Sequence, residues 1–227
     1  MKKMVTKSFI LALNDYYYFI QRNYSRNEIN RIVGNHYQLT RIQRSILVRG
    51  ITSSTQIAER NNKKALSINN EEIYIDGFNV FYTLTNYLMG RTVLVANDGF
   101  LRDTGEVTGK NQSSPHFIAS INHTINLLVK ENVKGIFIIF DEPVSHSGNL
   151  AALCNKTLET KNIKGWAKTV KSPDTVLKSL KKGVIATSDS AILDSAQTKI
   201  FDLSGYIIHE MYRASLMSVS ELINNSD

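Results

Sequence analysis

Apolar residues recur at helical spacing over the first fifty positions and gather into short continuous runs from about position 73 onward. Ile10, Leu11, Leu13, Tyr17, Tyr18 and Ile20 follow helical spacing rather than alternation and predict an amphipathic helix over residues 8–21. Ser25, with Glu28 at the capping-box position, opens a second helix from Arg26 to Val33, stopped by Gly34. Thr40 caps a third that runs through Arg49 and ends at Gly50. Thr52 to Asn70 is polar and either continues as a helix or connects. Beyond it the pattern reads as strand 73–80, helix 80–90, an irregular Gly- and Asp-rich stretch 97–113, and helix 116–131. Strand 135–140, helix 148–159, strand 164–170, helix 174–182, strand 183–187, helix 189–196 and strand 199–203 follow, then a helix near 210–223. All three prolines, Pro115, Pro143 and Pro173, fall between these elements.

Strands alternating with crossover-length segments predict a mainly parallel sheet with helices on both faces, a three-layer α/β/α domain over residues 67–227. A small all-helical domain, residues 1–66, precedes it. Four of the strand-like runs end at or just before an aspartate: Asp76, Asp141, Asp174 and Asp189. In open α/β sheets ligands bind outside the carboxyl ends of the strands, so a parallel arrangement brings these carboxylates to the functional edge. Crowded carboxylates repel and raise one another's pKa, which a divalent cation relieves; hard oxygen donors suit Mg²⁺ or Mn²⁺. Against this stands the plain reading of each acid as a helix cap, strongest for Pro173-Asp174, an ordinary helix start. Asp194 joins the candidate metal residues as a further acid behind the site, with an exposed helix residue as the plain reading.

With 227 residues and 42% hydrophobic content the chain can bury a core of its own. No apolar run approaches the roughly 20 residues of a membrane span, and the start lacks a signal core, so a cytoplasmic protein without a membrane partner is expected. Cys154, the sole cysteine, excludes an intrachain disulfide and a multi-cysteine zinc site, and it falls on an apolar helix face as a core residue. Charge is uneven: residues 1–64 carry 12 Lys and Arg against 3 Asp and Glu, residues 65–227 carry 15 against 17. That fits a polyanion-binding front half and a solvated basic face equally. Arg41 and Arg44 stand in the basic helical segment as candidate contacts to a nucleic-acid backbone, while Tyr16, Tyr17 and Tyr18 read as packing residues.

Tyr74-Ile75-Asp76-Gly77-Phe78-Asn79-Val80, Ile138-Ile139-Phe140-Asp141 and Ile185-Ala186-Thr187-Ser188-Asp189 together resemble the PIN-like superfamily of metal-dependent ribonucleases, in particular its NYN branch. The likeness covers residues 72–208. With the segments 141–148 and 186–194, and Asp15 to Tyr18 and Arg41 to Arg44 in front, the chain further resembles uncharacterised bacterial and archaeal proteins that join a small helical domain to a PIN-like domain. The resemblance implies that Asp76, Asp141, Asp174 and Asp189 hold Mg²⁺ or Mn²⁺ and that Asn79 orients Asp76 or the scissile phosphate. It also implies RNA as substrate and a homodimer as an open expectation. The loop 141–149 is richer in Ser, His and Gly than the branch, and Asp98 and Asp103 lie in an insertion where either could add a ligand.

Ser145, Ser147 and Gly148 precede an apolar helix, where free amides favour phosphate, although a plain serine cap accounts for them as well. Ser145, Ser147 and Ser188 complete the candidate substrate contacts, and His146 reads as a solvent-facing loop residue or an aid to proton transfer. The stretch 105–111 has the wrong spacing for a phosphate loop and lacks Ser or Thr after Lys110, which excludes an NTPase of that type. The expected function is a divalent-metal-dependent ribonuclease with RNA held by the basic helical domain. The alternative is a nucleic-acid-binding module on the same scaffold without catalysis.

Overall fold

In the computed structural model, which describes residues 4–105 and 112–224, four helices come first: α1 (Lys7–Ile20), α2 (Arg26–His36), α3 (Arg41–Gly50) and α4 (Ser54–Lys63). They lead into β1 (Glu72–Asp76), α5 (Gly77–Leu88), β2 (Val93–Val95), β3 (Leu101–Asp103), α6 (Pro115–Lys130) and β4 (Gly135–Asp141). Next come α7 (Ser147–Thr160), β5 (Gly165–Val170), α8 (Pro173–Lys178), β6 (Val184–Ala186), α9 (Ser190–Ser195) and β7 (Lys199–Phe201). The chain closes with α10 (Leu203–Tyr212), β8 (Met217–Ser218) and α11 (Val219–Asn224). It divides into two compact units. One comprises Met1–Asn61, Thr92–Gly105 and Ser215–Asp227, the other Asn62–Arg91 and Glu106–Ala214.

In the second unit five strands lie in the order β5-β4-β1-β6-β7, every neighbouring pair parallel. Gly-Ile-Phe-Ile-Ile-Phe before Asp141 is apolar on both sides because β4 is an inner strand covered on both faces, and all six residues are buried. Sequence order along the sheet is third, second, first, fourth, fifth, so its direction reverses between β1 and β6. Helices α5, α6, α7 and α10 form one packed layer, and α8 packs on α9. This is the α/β architecture that the strand and helix periodicity predicts. Cys154 is buried in α7, where burial pushes its thiol up to about 12 and removes it from nucleophilic chemistry near neutrality.

The first unit buries Phe9, Leu13 and Tyr16 of α1, Ile29 and Val33 of α2, and Ile46 and Leu47 of α3 in one core. Thr40 and Gln43 form the capping box of α3, each side chain accepting the other's backbone amide. Gly34 does not stop α2; the helix continues to His36, and the space a side chain would fill holds the Arg44 guanidinium. Two later segments, expected in the second domain, belong to this unit. Residues 93–103 form an antiparallel β2–β3 pair, and β8 joins β2 in parallel. Leu94 and Val219 enter the helical core. The helix expected near 210–223 therefore breaks into α10, β8 and α11, with Arg213 left-handed at φ 48° between them.

Candidate active site

Where the strand order reverses, β1 ends at Asp76 and β6 leads into Thr187, Ser188 and Asp189. The register places Ala186 beside Ile75, so Thr187 emerges beside Asp76. Its hydroxyl donates to Asp76 Oδ2 at 2.9 Å and accepts from the Asp189 amide at 3.1 Å. Asn79, in the first turn of α5, presents Oδ1 to the Ser188 amide at 2.8 Å and to the Ser188 hydroxyl at 3.1 Å. The loop after β6 is thus clamped to the start of α5, and Asp76 is fixed by the clamp. Asp76 is only 7% exposed. Burial raises its pKa, the Thr187 hydrogen bond opposes the rise, and the charges of Asp189 and Asp141 add to it, leaving the group at about 7.

Gly77 makes this geometry possible. A Cβ there would stand 2.6 Å from the Phe140 ring and 3.0 Å from the Ile139 carbonyl, so α5 can start directly after Asp76 only with glycine. Gly77→Ala is expected to lower stability by about 1–3 kcal/mol as α5 shifts from the sheet, and to weaken Asn79's hold on Ser188. Thermal unfolding measures the first effect and amide exchange at Ser188 the second.

Asp141 closes β4, whose Ile139 pairs with Asp76, so Asp76 and Asp141 point to the same sheet face about 6–7 Å apart along the strand direction. Burial raises the Asp141 pKa and the charge of Asp174 raises it further. Asp174 itself is 52% exposed in the first turn of α8 and lies 3.5 Å from Lys178. Asp189 caps α9, its Oδ1 accepting from the Ala191 amide at 2.7 Å and the Ile192 amide at 3.3 Å. Electrostatically the four acids form a chain: Asp189 and Asp141 act on Asp76, and Asp174 on Asp141. Among the described residues, however, no three His, Cys, Asp or Glu side chains converge tightly enough to hold an ion.

The remaining candidates are placed differently. Asp194 enters neither of these electrostatic couplings; its carbonyl, with that of Leu193, accepts from Lys63 Nζ. The cap of α7 is His146, left-handed at φ 64° and exposed, not a serine. Ser147 is buried and donates to the Glu142 carbonyl at 3.3 Å, closing the loop, while Ser145 is exposed. Ser188 lies inside the clamp. Arg41 is exposed at the start of α3, whereas Arg44 binds the Leu39 and Asn30 carbonyls and Asn35 Oδ1, which makes it a staple between α2 and α3. Asp98 and Asp103 belong to the first unit, where Arg60 and Arg102 meet Asp98 and Arg49 meets Asp103. Of the stretch 105–111, residues 106–111 lie outside the described residues.

Two participants escape sequence reasoning. Thr187 is the hub of the clamp, and the signal was its place directly after a buried strand and two residues before Asp189. Tyr82 lies one turn beyond Asn79 on α5; burial raises its phenol, Gln112 donates to its oxygen at 2.9 Å, and the Asp141 charge reaches it.

Comparison with known proteins adds family and no activity. Residues 8–63 match a model described as a protein of unknown function, DUF434. Across 190 residues, 83% of this chain and 90% of the relative, it is 33% identical to "Uncharacterized protein MJ0935" of Methanocaldococcus jannaschii. No helix among the described residues is long and apolar enough to cross a membrane. Residues 65–206, the stretch that carries Asp76, Asn79, Asp141, Asp174 and Asp189, match the model described as a domain of unknown function, DUF5616, and the chain belongs to that family.

Proposed function

We propose that this protein is a Mg²⁺- or Mn²⁺-dependent nuclease acting on RNA, with the basic helical unit gripping the strand. The observation that carries the reading is Asp76: a buried carboxylate at the point where the sheet order reverses, held by a hydroxyl and pressed by two further carboxylates. An uncompensated negative cluster of oxygen donors is what a hard divalent cation would bind. Asp76, Asp141 and Asp189 would hold it, Asp189 through Oδ2 because Oδ1 caps α9. Asp174 adds charge at the rim. Bound there, the cation would acidify water and neutralise charge on a phosphodiester. Thr187 keeps Asp76 oriented, and Asn79 keeps the Ser188 amide and hydroxyl in place.

A second reading is favoured by one observation, that the acids do not converge as a ligand set among the described residues. It makes the chain a nucleic-acid-binding module without catalysis. Mn²⁺ titration of the wild type and Asp189→Asn, followed by calorimetry, separates the two. The nuclease reading expects micromolar to low-millimolar binding, weakened at least tenfold in Asp189→Asn, together with cleavage of labelled single-stranded or structured RNA in Mn²⁺ or Mg²⁺ and none in EDTA. Absent Mn²⁺ binding with RNA retained intact selects the module.

A further inference from the structure

We propose that the groove between α2 and α3 is a phosphate-binding cleft for a single-stranded nucleic-acid backbone. It gives the grip in the function proposed above a specific place. The groove holds about 570 Å³ and is lined by Asn27 and Asn30 of α2 and Arg41, Arg44, Ser45 and Arg49 of α3. Among the described residues no carboxylate lines it. Planar guanidinium groups match phosphate oxygens in paired hydrogen bonds, and they dominate this wall.

The three arginines differ in freedom. Arg44 is fixed by three acceptors and by its seat on Gly34, so one cationic wall is rigid before any ligand arrives. Arg41 is exposed. Arg49 is 47% exposed and is held by Asp103 at 3.6 Å, a long contact that a phosphate would compete for. Arg41 and Arg49 lie about 12 Å apart along α3, two turns, so no single phosphate touches both and a chain of phosphates does. The volume agrees, since it is of nucleotide size rather than that of a bare ion. A membrane surface would call for apolar residues beside the cations, and the groove offers only Val48.

The test uses the full chain in EDTA, where metal-dependent cleavage is suppressed, and follows the anisotropy of a fluorescein-labelled oligouridylate. Arg41→Gln with Arg49→Gln is expected to weaken binding at least tenfold at moderate salt and to flatten the plot of log affinity against log salt by about 1.4, roughly 0.7 per lost contact to a single strand. Asp103→Asn, which removes the competitor for Arg49, is expected to tighten binding. Circular dichroism shows that each variant is folded. Unchanged affinity and slope in the folded double variant would overturn the proposal. So would competition by uridine monophosphate or polyglutamate as effective as that of the unlabelled oligonucleotide, because the first makes the groove a free-nucleotide site and the second a site for acidic protein. The nuclease reading fails separately. Metal-dependent cleavage that needs Asp76 but ignores Arg41 and Arg49 sinks the groove alone, and groove-dependent binding without cleavage sinks the nuclease alone.

Discussion

Asp76→Asn is expected to lower the proposed RNA cleavage at least about a hundredfold and at the same time to make the protein harder to unfold at pH 8. The first effect follows from removing the central carboxylate of the proposed cation site, where a single electrostatic group is worth about 10²–10³ in rate. The second follows from burial. In the unfolded chain Asp76 ionises near 3.8, and in the fold at about 7. Between those values the unfolded state has released a proton that the folded state still holds, so stability falls as pH rises through the interval. Above pH 7 the folded charge costs roughly 3–5 kcal/mol, at 1.36 kcal/mol per unit. Asparagine has no charge to bury, so the variant's melting temperature at pH 8 is expected to exceed the wild type's by roughly 6–20 °C. The gap should close below pH 4. If the proposed site binds Mn²⁺, the ion is expected to raise the wild-type melting temperature by stabilising the folded charge and to leave the variant unmoved. Thermal unfolding from pH 4 to 8, with and without Mn²⁺, measures all of this. A variant less stable than wild type at every pH, with cleavage intact, would make Asp76 a structural residue.

The same site shows what local sequence can and cannot carry. β4 was legible because six apolar residues in a row encode both faces of an inner strand, and the acids at the ends of β1 and β4 and after β6 were legible because parallel strands must end at one edge. The motif after Asp76 singled out Asn79, but not its hold on the Ser188 amide and hydroxyl. The β3–β2–β8 sheet was not, since its strands are two or three residues long and β8 pairs across more than a hundred positions, beyond any periodicity. Gly34 reads as a stop until Arg44 is seen to need its missing side chain. Arg44 reads as a free cation until three acceptors are found around it. Ser147 reads as a cap, but His146 takes the cap position in the left-handed conformation and frees Ser147 to close the loop. In each case the missing information is the partner's identity, which only the fold supplies.

Asp98 is the sharpest instance, and replacing it is expected to cost the first unit about 3–5 kcal/mol. In a Gly- and Asp-rich insertion it reads as an acid that could add a metal ligand, yet it is 2% exposed. Arg102 grips it with both terminal nitrogens at 2.7 Å, Arg60 reaches it from α4, and the Phe100 amide donates at 3.1 Å. Burial alone would raise its pKa, but the Arg102 hydrogen bonds and the charges of Arg102 and Arg60 outweigh it and hold the carboxyl at about 2. The stability this supplies is complete above the unfolded pKa near 3.8 and is lost as pH falls towards 2, where the carboxylate is protonated. Asp98→Asn costs more than that loss at neutral pH, because it leaves two buried guanidinium groups without an anion. Denaturant unfolding followed by far-ultraviolet circular dichroism is expected to show the deficit. Adding Arg60→Met to Asp98→Asn should restore part of it, because one orphaned charge is then gone. Destabilisation below about 1 kcal/mol, or no recovery in the double variant, would show that the arginines reach solvent when the carboxylate is removed. The cluster would then be peripheral to the unit's stability, although it joins α4 to the β2–β3 pair.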